Sequence, residues 1–96
     1  MDLGKTIKRI RKLKDISQKE LSESSGITQA YLSLIEGNKK EPTVTTLDRI
    51  ATALGIPISV LLYLSVDESS MNSKQKLIYS KIGSSFQKLI IKEFEL

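Results

Sequence analysis

Cysteine and histidine, two side chains on which protein chemistry often relies, are missing from this 96-residue chain. Without cysteine there is no disulfide frame, no thiol nucleophile and no thiolate metal site. Without histidine, nearly all zinc ligand sets go too, together with the usual general base. Carboxylates and lysines remain as candidate catalytic groups, and they supply no set of nucleophile, base and orienter. Glu20, Glu23 and Glu36 fall on predicted helices with ordinary surface or scaffold roles. The expectation is therefore no enzyme, no cofactor and no bound metal. Long apolar runs are lacking as well: none approaches the roughly 18 residues of a membrane span. The start, MDLGKTIKRI, is charged from its second residue, unlike a signal peptide. The expected compartment is the cytoplasm, with no membrane partner.

What is present suits one domain with a single modest core, leaving no room for a separate ligand-sensing domain. Lys and Arg number 15 against 11 Asp and Glu, a net charge of +4. The sequence pI near 9.4 permits a polyanionic partner without demanding one.

The most informative stretch is Ser17 to Glu36, SQKELSESSGITQAYLSLIE. Ser17 and Glu20 have the spacing of a capping box, and Leu21 with Ser22 or Ser25 faces inward. Gly26 tolerates positive φ, and Thr28 can cap a second helix. The pattern is helix, tight turn, helix. Counted from Thr28 at about 100° per residue, Leu32 and Ile35 share one face, with Gln29, Ala30, Ser33 and Leu34 on the other. That second face is small and carries no long charges. It suits a groove where amides and hydroxyls meet base edges and alanine meets a thymine methyl. An αα-hairpin inside any small helical bundle would show the same periodicity.

Before this pair, Leu3 to Lys14 reads as a helix with Leu3, Ile7, Ile10 and Leu13 in one apolar stripe. Lys5, Lys8, Arg9, Arg11, Lys12 and Lys14 fill the remainder, which would lie along phosphates, on an anionic membrane, or simply in water. After it, Gly37 to Pro42 breaks the pattern, with Asn38, Lys39 and Lys40 beside the second helix of the pair. Thr43 caps a helix over Val44 to Leu54, buried through Val44, Leu47, Ile50, Ala51 and Leu54. Pro57 pre-sets a short helix carrying Ile58, Leu61 and Leu62. Residues 65–72 read as a linker. From Ser73 a last amphipathic helix of about 20 residues carries Ile78, Ile82, Phe86, Leu89, Ile90 and Phe94 at spacings of three and four. Gly83 allows a close crossing or a kink. Such a helix needs something to pack on: its own domain, a second subunit or a different protein. The second subunit is the first choice, making 73–96 a dimerisation element.

Arg11, SQKEL, Gly26, ITQAYLSLIEGN, Pro42 and LDRIATALGIPISVLL together resemble the phage-repressor and Cro type of helix-turn-helix domain, the Xre-like group. The resemblance covers roughly Leu3 to Leu64. It implies an all-α, five-helix lambda-repressor-like domain over 1–64, ahead of the C-terminal helix. It also implies that Gln29, Ala30 and Ser33 face bases, with Leu34 adding an apolar contact. Phosphate contacts are expected from Ser17, Gln18, Thr28, Tyr31, Asn38, Lys39 and Lys40. An arginine of the family's first helix pairs with a glutamate ending the recognition helix, here Arg11 and Glu36. Ser22 and Ser25 stand where the family usually has alanine, so either they bond back to carbonyls one turn earlier or the packing is slightly wet. Pro57 replaces a usual polar cap. The function implied is a sequence-specific, homodimeric repressor on a pseudo-palindromic operator in double-stranded DNA. The alternative is an antitoxin-like interaction module whose C-terminal helix binds a partner protein.

Overall fold

Short helices separated by capping residues set the architecture, and each begins where a side chain can satisfy its free amides. In the computed structural model, which describes residues 2–96 apart from the side chains of Ile82 and Ser84, these are α1 (Leu3–Leu13), α2 (Gln18–Ser25), α3 (Gln29–Glu36), α4 (Val44–Ala53) and α5 (Ile58–Leu64). A 3-10 turn over Glu68–Ser70 leads to α6 (Ser73–Glu93). Among the described residues there is no strand, as the all-α expectation requires. No single helix is long and apolar enough to cross a membrane.

Asp2, Ser17, Thr28, Thr43 and Asn72 each cap a helix by accepting from a backbone amide. Pro57 starts α5 without a side-chain cap. It stands one residue ahead of the helix proper, with φ −64° pre-set by its ring.

One core joins α1 to α5. Ile7, Ile10, Leu21, Leu32, Ile35, Ile50, Leu54 and Leu61 are all sealed from solvent, with Leu47, Ala51 and Ile56 beside them. Truncating such a leucine to alanine costs about 2–5 kcal/mol. Val44 does not join this core: it is 75% exposed. It occupies the first position of α4, a full turn before Leu47, where no neighbouring element covers it.

Gly4 marks the closest approach of α1 to α3. A Cβ there would lie 2.8 Å from the Glu36 carbonyl oxygen and closer still to that of Ile35. The two backbones touch without intervening side chains, so glycine is required by space rather than by φ.

Residue 65 belongs to the domain rather than to a free linker. Ser65 is buried, its hydroxyl donates to the Leu61 carbonyl, and its own carbonyl accepts from the Asp2 amide. The helix α6 then folds back. Ile90 is buried, Phe94 and Leu96 pack against the core, and the Tyr63 hydroxyl donates to the Gly83 carbonyl at 3.1 Å. The helix runs unbroken through Gly83, where an added Cβ would stand 3.4 Å from the Tyr63 hydroxyl, an ordinary contact. Of the six residues expected to meet another chain, Ile90 and Phe94 are thus turned onto their own domain. Ile78, Phe86 and Leu89 remain outside, 49%, 50% and 65% exposed. The side chain of Ile82 lies outside the described residues.

Candidate nucleic-acid interface

The helix pair α2–α3 is fixed at both ends of its turn. Ser17 Oγ accepts from the Glu20 amide at 3.0 Å, and the Ser17 amide donates to Glu20 Oε1 at 3.1 Å. That amide holds the Glu20 carboxyl below its ordinary value. Gly26 ends α2 in the left-handed region at φ 72°. There the Gly26 and Ile27 amides reach carbonyls of the last turn. Thr28 Oγ1 then accepts from the Tyr31 amide at 3.1 Å. Both capping hydroxyls keep their own proton to offer to a phosphate.

The serines within α2 resolve as back-bonding. Ser22 Oγ donates to the Lys19 carbonyl at 2.8 Å, and Ser25 Oγ donates to that of Leu21 at 2.6 Å. Both are buried, and these hydroxyls in alanine-like positions are satisfied by carbonyls of their own helix.

Helix α3 presents two faces. Leu32 and Ile35 enter the core, while Gln29, Ala30 and Ser33 are exposed and Leu34 is 44% exposed. None of the four is covered by α6. Tyr31 is half-buried against the core.

Glu36 anchors the end of α3. Arg11 grips it with two parallel bonds, Nε to Oε2 at 2.8 Å and Nη2 to Oε1 at 3.0 Å, while Nη1 donates to the Ile16 carbonyl. The two side chains are 10% and 3% exposed. A bidentate pair in this position fixes direction as well as distance.

Gln18 extends the anchor toward the surface. Its Nε2 donates to Glu36 Oε1 at 3.3 Å, and its Oε1 accepts from Gln29 Nε2 at 3.4 Å. Arg11, Glu36, Gln18 and Gln29 thereby form one chain of hydrogen bonds from the buried scaffold to the exposed face. The sequence pattern predicts Gln18 as an exposed amide at the helix start; the structure half-buries it and gives it this bridging place.

Beyond α3, Lys39 and Lys40 are exposed, and their amides both donate to the Leu34 carbonyl. Asn38 has a different role from its lysine neighbours. Its Oδ1 accepts from the Gly4 amide at 3.2 Å and its Nδ2 donates to Asp2 Oδ1 at 2.9 Å. It stands at φ 58°, a left-handed position that asparagine tolerates. Its side chain thus ties the start of α1 to the end of α3. Asp2 and Gly4, the other members of this tie, carry no motif in the sequence. The one available signal is a glycine inside a strongly periodic helix, which costs about 1 kcal/mol and so asks for a packing reason.

Lys5, Lys8, Arg9 and Lys12 of α1 are exposed, whereas Arg11 is spent on Glu36. The arrangement offers a small uncharged reading face, free hydroxyls at two helix starts and lysines alongside. It is the combination that base-edge readout with phosphate anchoring needs.

Known proteins show the same plan. Residues 7–61 match the family model described as helix-turn-helix. The immunity repressor protein of Bacillus phage phi105 is 32% identical over 80 residues, covering 79% of this chain and 56% of that protein. The chain thus spans a little over half the length of that relative. An uncharacterized HTH-type transcriptional regulator, y4dJ of Sinorhizobium fredii, is 36% identical over 72 residues, covering 75% of this chain and 92% of its own. Among solved structures, the biofilm master regulator SinR in complex with DNA superposes with a TM-score of 0.59 at 36% identity. The match covers 62% of this chain and 97% of that one.

Proposed function

The chain belongs to the helix-turn-helix family of phage-repressor and Cro type, and on that premise we propose that it is a DNA-binding transcriptional regulator that represses as a homodimer. The observation that carries this reading is the outer face of α3. Gln29, Ala30 and Ser33 stand exposed over a buried Leu32 and Ile35, and the helix is clamped by Arg11 and Glu36. The match to a phage immunity repressor supports the direction of control.

Each subunit places Thr28 to Glu36 in the major groove. Gln29 meets an adenine through N6 and N7, Ala30 and Leu34 contact thymine methyls, and Ser33 bonds a base edge. Ser17, Gln18, Thr28, Tyr31, Lys39 and Lys40 hold phosphates, which fix register without reading sequence. One copy of so short a helix reads three or four base pairs. Two copies on half-sites about 34–36 Å apart supply the affinity that separates an operator from bulk DNA. Repression follows where the operator overlaps a promoter, by exclusion of polymerase, in the cytoplasm where that DNA lies.

The test is selection of bound sequences from random duplex DNA, with the solution mass measured on the same preparation. A two-fold-related motif and a dimer mass are expected. A pool that never enriches removes the sequence-reading role. The exposed apolar residues of α6 favour a second reading, in which the tail binds a different protein as antitoxins do. Truncation after Leu64 separates the two, because only the regulator reading makes the truncated chain lose self-association.

A further inference from the structure

Asp2 stands where three elements begin or end. Its backbone amide donates to the Ser65 carbonyl at 3.1 Å, just past α5, and its own carbonyl accepts from the Thr6 hydroxyl at 2.8 Å. Its Oδ1 receives two amides at 2.9 Å each, the Lys5 backbone amide of α1 and the Asn38 side-chain amide beyond α3. Ser65 is itself buried, and its hydroxyl is bonded to Leu61. Asp2 is thus pinned from α1 and α5, by contacts that do not involve the chain after α3.

The loop after α3 leans on that fixed point. Residues 37–42 leave α3, carry Lys39 and Lys40, and reach the Thr43 cap of α4. The Lys39 and Lys40 amides share one acceptor, the Leu34 carbonyl, at 2.9 and 3.2 Å. Sideways restraint comes from Asn38, whose side chain is the one in this loop, among the described residues, that is hydrogen-bonded to another element. Its Oδ1 takes the Gly4 amide and its Nδ2 gives to Asp2, so both ends of the amide are committed to the start of α1.

The charge of Asp2 runs against its place. Its carboxylate is bonded to the residue immediately before Lys39, beside a segment read above as meeting phosphates. By charge alone this is a defect, because removing an acid raises the net charge and tightens binding to a polyanion. What the carboxylate contributes is geometry. A tethered loop presents its ammonium groups in place, whereas a free one must be ordered at the moment of binding.

We propose that Asp2, acting through Asn38, is a positioning residue for phosphate binding by Lys39 and Lys40, and that this effect outweighs its charge; the proposal rests on the phosphate-contact reading of those lysines. Its consequence is a reversal of sign between two variants of equal charge. Asp2→Ala and Asp2→Asn both remove the negative charge, but only asparagine keeps an oxygen that accepts from Asn38 and Lys5.

The experiment is fluorescence anisotropy of the full chain on a random-sequence duplex across a series of sodium chloride concentrations. Asp2→Ala is expected to bind at least about 5-fold more weakly. Its slope of log affinity against log salt should be smaller by about 0.9 for each lysine that leaves its phosphate. Asp2→Asn is expected to match or exceed the parent at an unchanged slope. Asn38→Gly keeps the cap on α1 and suits positive φ, so it carries the test if Asp2→Ala unfolds, with the same weakening expected. Adding Lys39→Ala and Lys40→Ala to Asp2→Ala should cost nothing further, a coupling that plain loss of stability does not produce. Tighter or unchanged binding by Asp2→Ala overturns the proposal, as does an equal loss in Asp2→Asn or lysine effects that stay additive. Lysine substitutions that leave the slope of the otherwise unaltered chain unmoved overturn the phosphate reading itself, and the proposal with it.

Discussion

Gln18 and Glu36 lie 18 residues apart in sequence and share a hydrogen bond of 3.3 Å, in which the Gln18 amide donates to a carboxylate already gripped by Arg11. A buried ion pair is thereby wired to the amide that reaches Gln29, and the setting of an exposed side chain depends on a contact near the core.

Removing one partner of the pair tests this. Arg11→Ala leaves Glu36 buried without its cation and is expected to cost about 3–5 kcal/mol in urea unfolding. Arg11→Met with Glu36→Leu replaces both by apolar groups and restores most of that stability. Operator affinity does not return with it, because Gln18 has lost its anchor. Full recovery of binding in the double variant would show that the chain of bonds does not act on recognition.

Gln29→Ala is expected to cost about 1–3 kcal/mol on the selected operator and to relax preference at one base pair. Gln18→Ala should lower affinity for the same operator and partly relax preference at that same base pair, since it removes the side chain that orients Gln29. An equal loss on every sequence for Gln29→Ala would contradict base reading.

Lys39→Ala and Lys40→Ala should each weaken binding to all duplexes alike. The slope of log affinity against log salt is expected to shrink by about 0.9 for each phosphate that is no longer neutralised. An unchanged slope removes that lysine from the phosphate-binding set.

The Asp2 carboxyl is held below its ordinary value, first by the Asn38 amide and then by the Lys5 backbone amide it caps. A lowered folded value means that its contribution is complete above the unfolded value near 3.8 and fades as pH falls through the lower one. Asn38→Ala should move the Asp2 titration upward, toward 3.8, as read by NMR. It should also make the acid-side loss of stability shallower. An unmoved titration would place the cause elsewhere.

Local rules make much of this legible from sequence. Capping at Ser17, Thr28 and Thr43, the left-handed turn at Gly26 and the inward Leu32 and Ile35 each depend on neighbours within a few positions. The Arg11 and Glu36 pair is accessible only through family resemblance, since nothing local joins residues 25 apart. Long-range geometry governs the rest. Val44 fits the apolar period of α4 but lies beyond the edge of the core. Ile90 and Phe94 share a helix with Leu89, and only the fold decides which side of so broad a face turns inward. Asn38 reads as a loop residue until Asp2 and Gly4 come within reach.

The bare backbone contact at Gly4 has a practical corollary. Because the contact at Gly4, the Arg11–Glu36 pair and the Asn38 tie set how closely α3 seats against α1, all of them away from the outer face, the outward residues of α3 can be exchanged without reseating the helix. The molecule is therefore suited to specificity grafting: if the proposed reading face is right, a new quartet at positions 29, 30, 33 and 34 is expected to change the preferred sequence while leaving the thermal midpoint unmoved.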